Sequence, residues 1–232
     1  MRTSGTSGHQ TCLPLEVKVH FQHVEGDLKP IVPRDTRAPI LLSRSPHEPA
    51  DGHHQVMSTG QTVRDATVQD AEACAAIYAP YVTDTATTSE LDPPSMAEMA
   101  TRLASALDTH AWMVLEDQGH VVGYAYGSPY KARPAYRWSC EVSVYLELGR
   151  RRTGGGRALY DVLLTRLAER GFRTVVAGMT LPNDASVDLH AALGFEPVGV
   201  YRRIGWKHGR WHDVVWTQRA LAANSGTPSE PR

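Results

Sequence analysis

The sequence predicts an α/β protein (α+β in the mixed sense): one twisted central sheet of about six to seven strands, parallel and antiparallel, with helices on both faces. Three observations predict it. Segments of period two alternate with segments of helical period along residues 62–221. Their order is strand, two helices, three strands, helix, strand, helix, two strands. Gly, Pro, Asn and Asp punctuate the joins.

The elements follow in order. Thr62-Val-Arg-Asp-Ala66 reads as a short first strand. Thr67-Val-Gln-Asp70 has capping-box spacing with Thr67 as cap. The helix it opens carries Ala71, Cys74, Ile77 and Tyr78 on one face and is expected to end near Pro80, whose ring removes a backbone donor. After a polar loop from Thr83 to Asp92, Ser95-Met-Ala-Glu98 repeats the start signal, and Met96, Met99, Leu103 and Leu107 mark a second helix. Ala111–Glu116 and His120–Tyr126 are two arms about an Asp117-Gln-Gly-His120 turn, and Arg137–Leu146 is the third.

A Gly-rich turn follows, and Leu159, Val162, Leu163 and Leu167 fall at helical spacing up to a stop at Gly171. Thr174–Leu181 is a buried strand. Asp184–Leu193 is a helix closed by Gly194, and Phe195–Ile204 and Trp211–Leu221 are the last strands, joined through Lys207-His-Gly-Arg210.

Residues 1–57 are different: rich in Pro, His, Gly, Ser and Arg, with one alternating stretch, Leu15–Phe21. They are expected to be a largely disordered N-terminal extension, dispensable to a functional chain that starts near Met57. Residues 58–222 form the domain, and 223–232 read as a disordered tail.

With a formal net charge of -1 the chain has no basic stripe for nucleic acid. No apolar run approaches the roughly 20 residues of a membrane span, and no secretory leader is visible. Cys12, Cys74 and Cys140 are scattered and odd in number, as in a reduced, cytoplasmic protein. His47, His53 and His54 lack any nearby cysteine or carboxylate at ligand spacing, so no metal is expected.

The functional signal lies in Glu141-Val-Ser-Val-Tyr-Leu-Glu-Leu-Gly-Arg-Arg-Arg-Thr-Gly-Gly-Gly156, a strand running through arginines and glycines into a helix. A helix start has unpaired N–H groups and partial positive charge, and glycines let a ligand approach the backbone, so the order suits an anion carrying phosphates. A solvated basic turn is the other reading. No Gly-Lys-Ser/Thr follows, and Leu159 stands where a dinucleotide fingerprint needs its last glycine.

Arg151-Arg152-Thr153-Gly154-Gly155-Gly156 resembles the Q/R-x-x-G-x-G/A pyrophosphate loop of GCN5-related (GNAT) N-acetyltransferases. Four further stretches resemble the phosphinothricin N-acetyltransferase family within them: Gly123–Tyr126 with Lys131-Ala-Arg133 and Ala135–Trp138; Glu141–Tyr145; Leu181–Val187 with His190 and Leu193-Gly-Phe195; and Gly205–Val214 with Gln218. Together they cover most of residues 63–221. Two departures stand out: the leader, and the loop around Thr87-Thr-Ser89, which lacks the aromatic residue that the family usually has near Ser89.

The resemblance implies a GNAT fold, acetyl-CoA as co-substrate, a small amino-acid-like amine such as phosphinothricin, methionine sulfoximine or methionine sulfone as acceptor, and a homodimer; a different small amine and a non-catalytic acetyl-CoA-binding module are the alternatives. It also implies roles. Glu141 would be the base, directly or through water, because a protonated amine must lose a proton before attack. His190 would be the acid for the thiolate or part of a relay with Glu141. Val144, Tyr145 and Leu146 would present main chain to the pantetheine arm, if the strand bulges and splays there, and Arg151, Arg152, Thr153, Gly154, Gly155 and Gly156 would hold the pyrophosphate. Asn183 reads equally as a pantetheine ligand and as a helix cap. Lys131, Arg133 and Tyr136 would hold the acceptor's carboxylate. Lys207, His208 and Trp211 line either the site or a dimer contact.

Overall fold

The computed structural model describes residues 55–56, 60–150, 152–222 and 226–231. The expectations for Leu15–Phe21, for the histidines at 47, 53 and 54, for a start at Met57 and for Arg151 lie outside the described residues.

Among the described residues, eight strands form one sheet in the order β1-β2-β3-β4-β5-β6-β8-β7. They are β1 (Gln55–Val56), β2 (Gln61–Asp65), β3 (Trp112–Asp117), β4 (His120–Pro129), β5 (Ser139–Leu146), β6 (Thr174–Thr180), β7 (Glu196–Lys207) and β8 (Arg210–Ala220). The two-residue β1 takes the count beyond the expected six to seven by pairing Gln55 and Val56 with Val63 and Thr62. Every neighbouring pair is antiparallel except β5 and β6, whose connection runs through a helix as parallel pairing requires.

Helices α1 (Ala71–Asp84) and α2 (Met96–Thr109) cover one face, while α3 (Gly155–Glu169) and α4 (Asp184–Ala192) cover the other. Strand β3 shows why two faces are covered. Its Met113 and Leu115 belong to the core under α3, with Leu159, Leu163 and Leu167, and its Trp112 and Val114 to the core under α1 and α2, with Cys74, Met99 and Leu103. A strand buried on both sides reads as an unbroken apolar run, as Ala111–Leu115 does.

The helix punctuation acts as the residues dictate. Ser95 and Glu98 form a reciprocal capping box, Glu98 Oε2 accepting from the Ser95 amide at 2.7 Å. The Thr67 amide donates to Asp70, which Arg64 also grips with two 2.8 Å bonds. Gly171 and Gly194, at φ 99 and 79, end α3 and α4, and in each case the next residue's N–H reaches back to Leu167 or His190.

Two expectations differ. Helix α1 does not end near Pro80 but runs on to Asp84 with the proline inside. Tertiary contacts hold the last turn: Val82 is buried, and the Tyr81 hydroxyl donates to the Leu146 carbonyl at 2.6 Å. They compensate the backbone bond the proline removes. At the other end, the sequence reads as structureless after Ala222, yet the Ser229 carbonyl accepts from Trp138 Nε1 at 2.8 Å and Glu230 makes two 2.7 Å bonds to Arg137.

Leu163 is fully buried between α3 and the sheet. Leu163→Ala should lower the unfolding free energy by about 2–5 kcal/mol, read from urea transitions.

Candidate active site

The site begins where two strands part. β5 pairs with β6 at Ser139, Cys140 and Glu141, and the ladder stops there, although β5 continues to Leu146 and β6 to Thr180. On its other side β5 stays paired with β4 through Leu146 in one unbroken register. The expected bulge in β5 is therefore absent, and the splay alone opens the gap.

Register parity decides which amides face that gap. The Glu147 N–H bonds the Val122 carbonyl at 2.9 Å, so in an antiparallel ladder Tyr145 and Ser143 also turn their polar groups to β4. Val144 and Leu146 turn theirs the other way, into the gap. The Tyr81 hydroxyl on the Leu146 carbonyl confirms the direction. Tyr145 corrects the expectation made for it: its main chain is spent on β4, and its ring packs 4.9 Å from Tyr78 and 5.2 Å from Tyr81.

At the mouth of the gap lies the Gly-rich turn. Arg152 has φ 63 and Gly154 φ 82, and α3 starts at Gly155 with no side chain capping it. The first backbone bond of the helix is Ala158 N–H to the Gly154 carbonyl, so the amides of Gly155, Gly156 and Arg157 precede the helical ladder. A Cβ on Gly155 would sit 2.6 Å from Leu115 Cδ2, and one on Gly156 3.2 Å from Leu189 Cδ2. The helix start is thus pressed onto the sheet and α4 with its backbone bare. A cleft of about 750 Å³ runs from Val144 and Leu146 past Arg152–Arg157 to Asn183 and Leu189. Bare amides, a helix N-terminus and two arginines suit a diphosphate, and the neighbouring strand amides suit an extended amide-bearing arm.

A narrow throat of about 40 Å³ continues the cleft between the parted strands, lined by Val142–Tyr145, Gly178, Tyr160 and His190 among others. His190 Nδ1 lies 2.7 Å from the Ser186 carbonyl, which can only accept, so that nitrogen carries the proton. Nε2 then accepts from the Tyr160 hydroxyl at 3.1 Å. Burial pushes the imidazole pKa below its usual value, against the Ser186 carbonyl. Both nitrogens are engaged away from Glu141, so this geometry contains no direct relay between the two. Tyr160, fully buried on α3, was missed from the sequence because an aromatic residue in an apolar helical stripe reads as core.

Asn183 is the helix cap, and it also stands at the cleft. Its Oδ1 accepts from the Ser186 amide at 3.4 Å as the cap of α4, and it lines both cleft and throat.

Glu141 is the last residue of β5 paired to β6, opposite Ser128 of β4. By strand alternation it shares the α1/α2 face with Ser143 and Tyr145, while Val142 faces α3. Burial pushes its carboxyl pKa up, and the positive charge of Lys131 only partly offsets this. Lys131 lies 5.0 Å over the Tyr130 ring, and Tyr136 meets the same ring edge-on at 5.7 Å. The loop therefore gathers Lys131 and Tyr136 about the Tyr130 ring, with Lys131 in electrostatic reach of Glu141. Arg133 precedes the short turn Pro134–Tyr136 and is exposed.

The stability consequence has a definite sign. A carboxyl whose folded pKa lies above its unfolded value favours folding when protonated, and that contribution fades as pH rises through the raised pKa. Glu141→Gln should therefore melt higher than the parent protein at pH 7, with the gap closing toward pH 4 in parallel thermal melts.

Known proteins match this architecture. Residues 63–216 match the acetyltransferase (GNAT) domain. The chain is 41% identical over 170 residues to a phosphinothricin N-acetyltransferase of Streptomyces viridochromogenes, covering 73% of this chain and 91% of that one. It is 32% identical over 169 residues to an L-methionine sulfoximine/L-methionine sulfone acetyltransferase of Pseudomonas paraeruginosa, covering 72% and 98%. Among solved structures, a GNAT superfamily phosphinothricin acetyltransferase from Sinorhizobium meliloti, crystallised with AcCoA, superposes with a TM-score of 0.71 at 39% identity, over 73% of this chain and 94% of that one. With its parted strands, bare helix start and family match over most of the described residues, the chain belongs to the GNAT family of N-acetyltransferases.

Proposed function

We propose that the protein transfers the acetyl group of acetyl-CoA to the primary amine of a small amino-acid-like acceptor, of the class of phosphinothricin, methionine sulfoximine or methionine sulfone. The single observation that carries this is the position of Glu141. It stands where β5 and β6 part, on the face opposite α3, and the next residue, Val142, lines the throat between the parted strands. The names of the relatives support the acceptor class.

In this reading the pyrophosphate rests on the amides of Gly155 and Gly156, beside Arg152, Thr153 and Gly154, with Arg151 completing the motif. The pantetheine arm bonds the Val144 and Leu146 main chain and Asn183, which places the thioester at the throat. Glu141 takes the proton of the acceptor ammonium, directly or through water. Its raised pKa brings the carboxylate nearer to a working base than an ordinary surface glutamate is. Binding both reactants in one ternary complex supplies much of the rate. His190 enters as a neutral hydrogen-bonding partner that fixes the Tyr160 hydroxyl at the throat. Lys131 and Tyr136, with Arg133 beside them, meet the acceptor's carboxylate.

A second acceptor reading rests on Ser89. The Ser89 hydroxyl lies 4.0 Å from where a Cβ on Gly205 would stand. With a serine where the family usually has an aromatic residue, the acceptor in this second reading is a different small amine.

Residues 58–222 act in this reading as the catalytic domain, which the match over 63–216 supports. Among the described residues no helix is long and apolar enough to cross a membrane, in keeping with a cytoplasmic enzyme. A homodimer is supported by the edge strand β7, which exposes Val198, Val200, Tyr201, Ile204 and Trp206.

Thiol release from acetyl-CoA, followed across a panel of amines, tests the whole reading; no turnover with any amine despite acetyl-CoA binding would defeat it. Glu141→Gln should lower kcat by about 10²–10⁴-fold while leaving acetyl-CoA affinity intact. In the parent enzyme kcat/KM should climb with pH through a limb set above the ordinary glutamate range, and that limb should vanish in the variant. Ser89→Phe should narrow the panel, cutting kcat/KM for the bulkiest accepted amine most.

A further inference from the structure

We infer that Lys207 is a positioning residue for the acceptor amine, acting through a clamp between the β7–β8 hairpin tip and the loop that joins α1 to α2. The inference rests on the acetyltransferase reading above and adds a residue that recognises the acceptor indirectly.

The tip is a tight two-residue turn. His208 and Gly209 both have positive φ, 50 and 72, which fixes how Lys207 and Arg210 leave it. Lys207 is only 7% exposed, and its ammonium donates to the Thr88 carbonyl at 2.9 Å. His208 Nε2 lies 3.1 Å from the Thr85 carbonyl, and His212 Nε2 lies 3.0 Å from the Lys207 carbonyl, bracing the base of the tip. Two successive hairpin residues thus grip two carbonyls of one loop.

The opposite side of the loop is tied to the helices. The Thr88 hydroxyl meets the Tyr78 hydroxyl at 2.6 Å, Tyr78 donates to Glu90 at 3.1 Å, and Arg102 holds Glu90 with bonds of 2.7 and 3.0 Å. Thr85 Oγ1 donates to the Tyr81 carbonyl at 2.7 Å and accepts from the Thr87 amide at 3.1 Å. Removing Lys207 would leave Thr88 fixed from one side alone.

What the loop carries gives the clamp its function. Thr87 lines the cofactor cleft, the throat and a third hollow of about 390 Å³ bounded by Thr180–Ala185, Arg210 and His212. Among the described residues it shares that distinction with Asn183 alone, which stands on α4's cap. Thr87 and Asn183 are therefore the lips where three spaces meet. Ser89, two residues on, faces Gly205 of the hairpin. A buried ammonium is an expensive way to hold a loop carbonyl: burial lowers its pKa, and the charge of Glu90, beyond ion-pairing distance, only partly offsets this. The Thr88 it holds adjoins both Thr87 and Ser89, which gives that placement a purpose.

Lys207→Met removes the donor and keeps the stem. It should raise the amine KM by about 10–100-fold, the scale of small misplacements at a reacting centre, while directly measured acetyl-CoA affinity stays as in the parent. Amides 85–90 should exchange hydrogen faster, and Lys207→Arg, which keeps a donor, should recover part of both effects. His208→Ala, on an exposed side chain, should shift the same quantities in the same direction by less, and serves if Lys207→Met does not fold. An unchanged amine KM, or equal losses for both substrates, overturns the positioning role, and unchanged exchange at 85–90 overturns the clamp. If the parent protein turns over no amine, the function proposed above fails, and the exchange measurement still decides the clamp.

Discussion

The parting of β5 from β6 is the constraint on which the rest of the structure depends. Three residues of parallel ladder end at Glu141, and beyond them two strands of one sheet run on without each other. Backbone amides left unpaired inside a protein carry a free-energy cost, so a gap like this persists only where something else meets them. Here the surroundings keep it open. The Tyr81 hydroxyl takes the Leu146 carbonyl, and the Tyr160–His190 pair stands in the throat. Gly155, pressed against Leu115, sets the start of α3 at the mouth.

The electrostatics are arranged along the same line. Cationic groups and bare amides lie at the outer mouth, a neutral imidazole and phenol in the throat, and a burial-strained carboxyl beyond it. The chain's net charge of -1 conveys none of this, because the pattern is local and its parts cancel in the sum. Glu141 carries a stability cost in this arrangement. The burial that raises its pKa makes its charged form unfavourable in the fold.

The surroundings of the loop between α1 and α2 are built from pieces far apart in the chain. The loop between α1 and α2 is held by a hairpin more than a hundred residues later. The continuation of α1 past Pro80 belongs to the same arrangement, since Tyr81 and Tyr78 on its last turns reach β5 and the loop. A local rule about proline was overruled by contacts that a local rule cannot see.

The sequence by itself determined the elements and their punctuation: the boxed start at Ser95, the glycine stops at 171 and 194, the buried strand that begins at Thr174 and the Gly-rich turn at 154–156. These are relations between residues two to four apart, which backbone geometry makes readable as period and cap. It also showed Glu141 and the Gly-rich turn, through residue types that only a few chemistries need together. Only the tertiary structure decided which amides face the gap, since Val144 and Tyr145 look alike as neighbours and one hydrogen-bond parity separates them. Tertiary packing likewise engaged both nitrogens of His190, set Tyr160 beside the throat and brought Lys207 to Thr88. Apart from the turn-spaced bond of His190 to Ser186, those are contacts across 30 to 119 residues, fixed by how layers pack and by register, and no spacing within a segment records them.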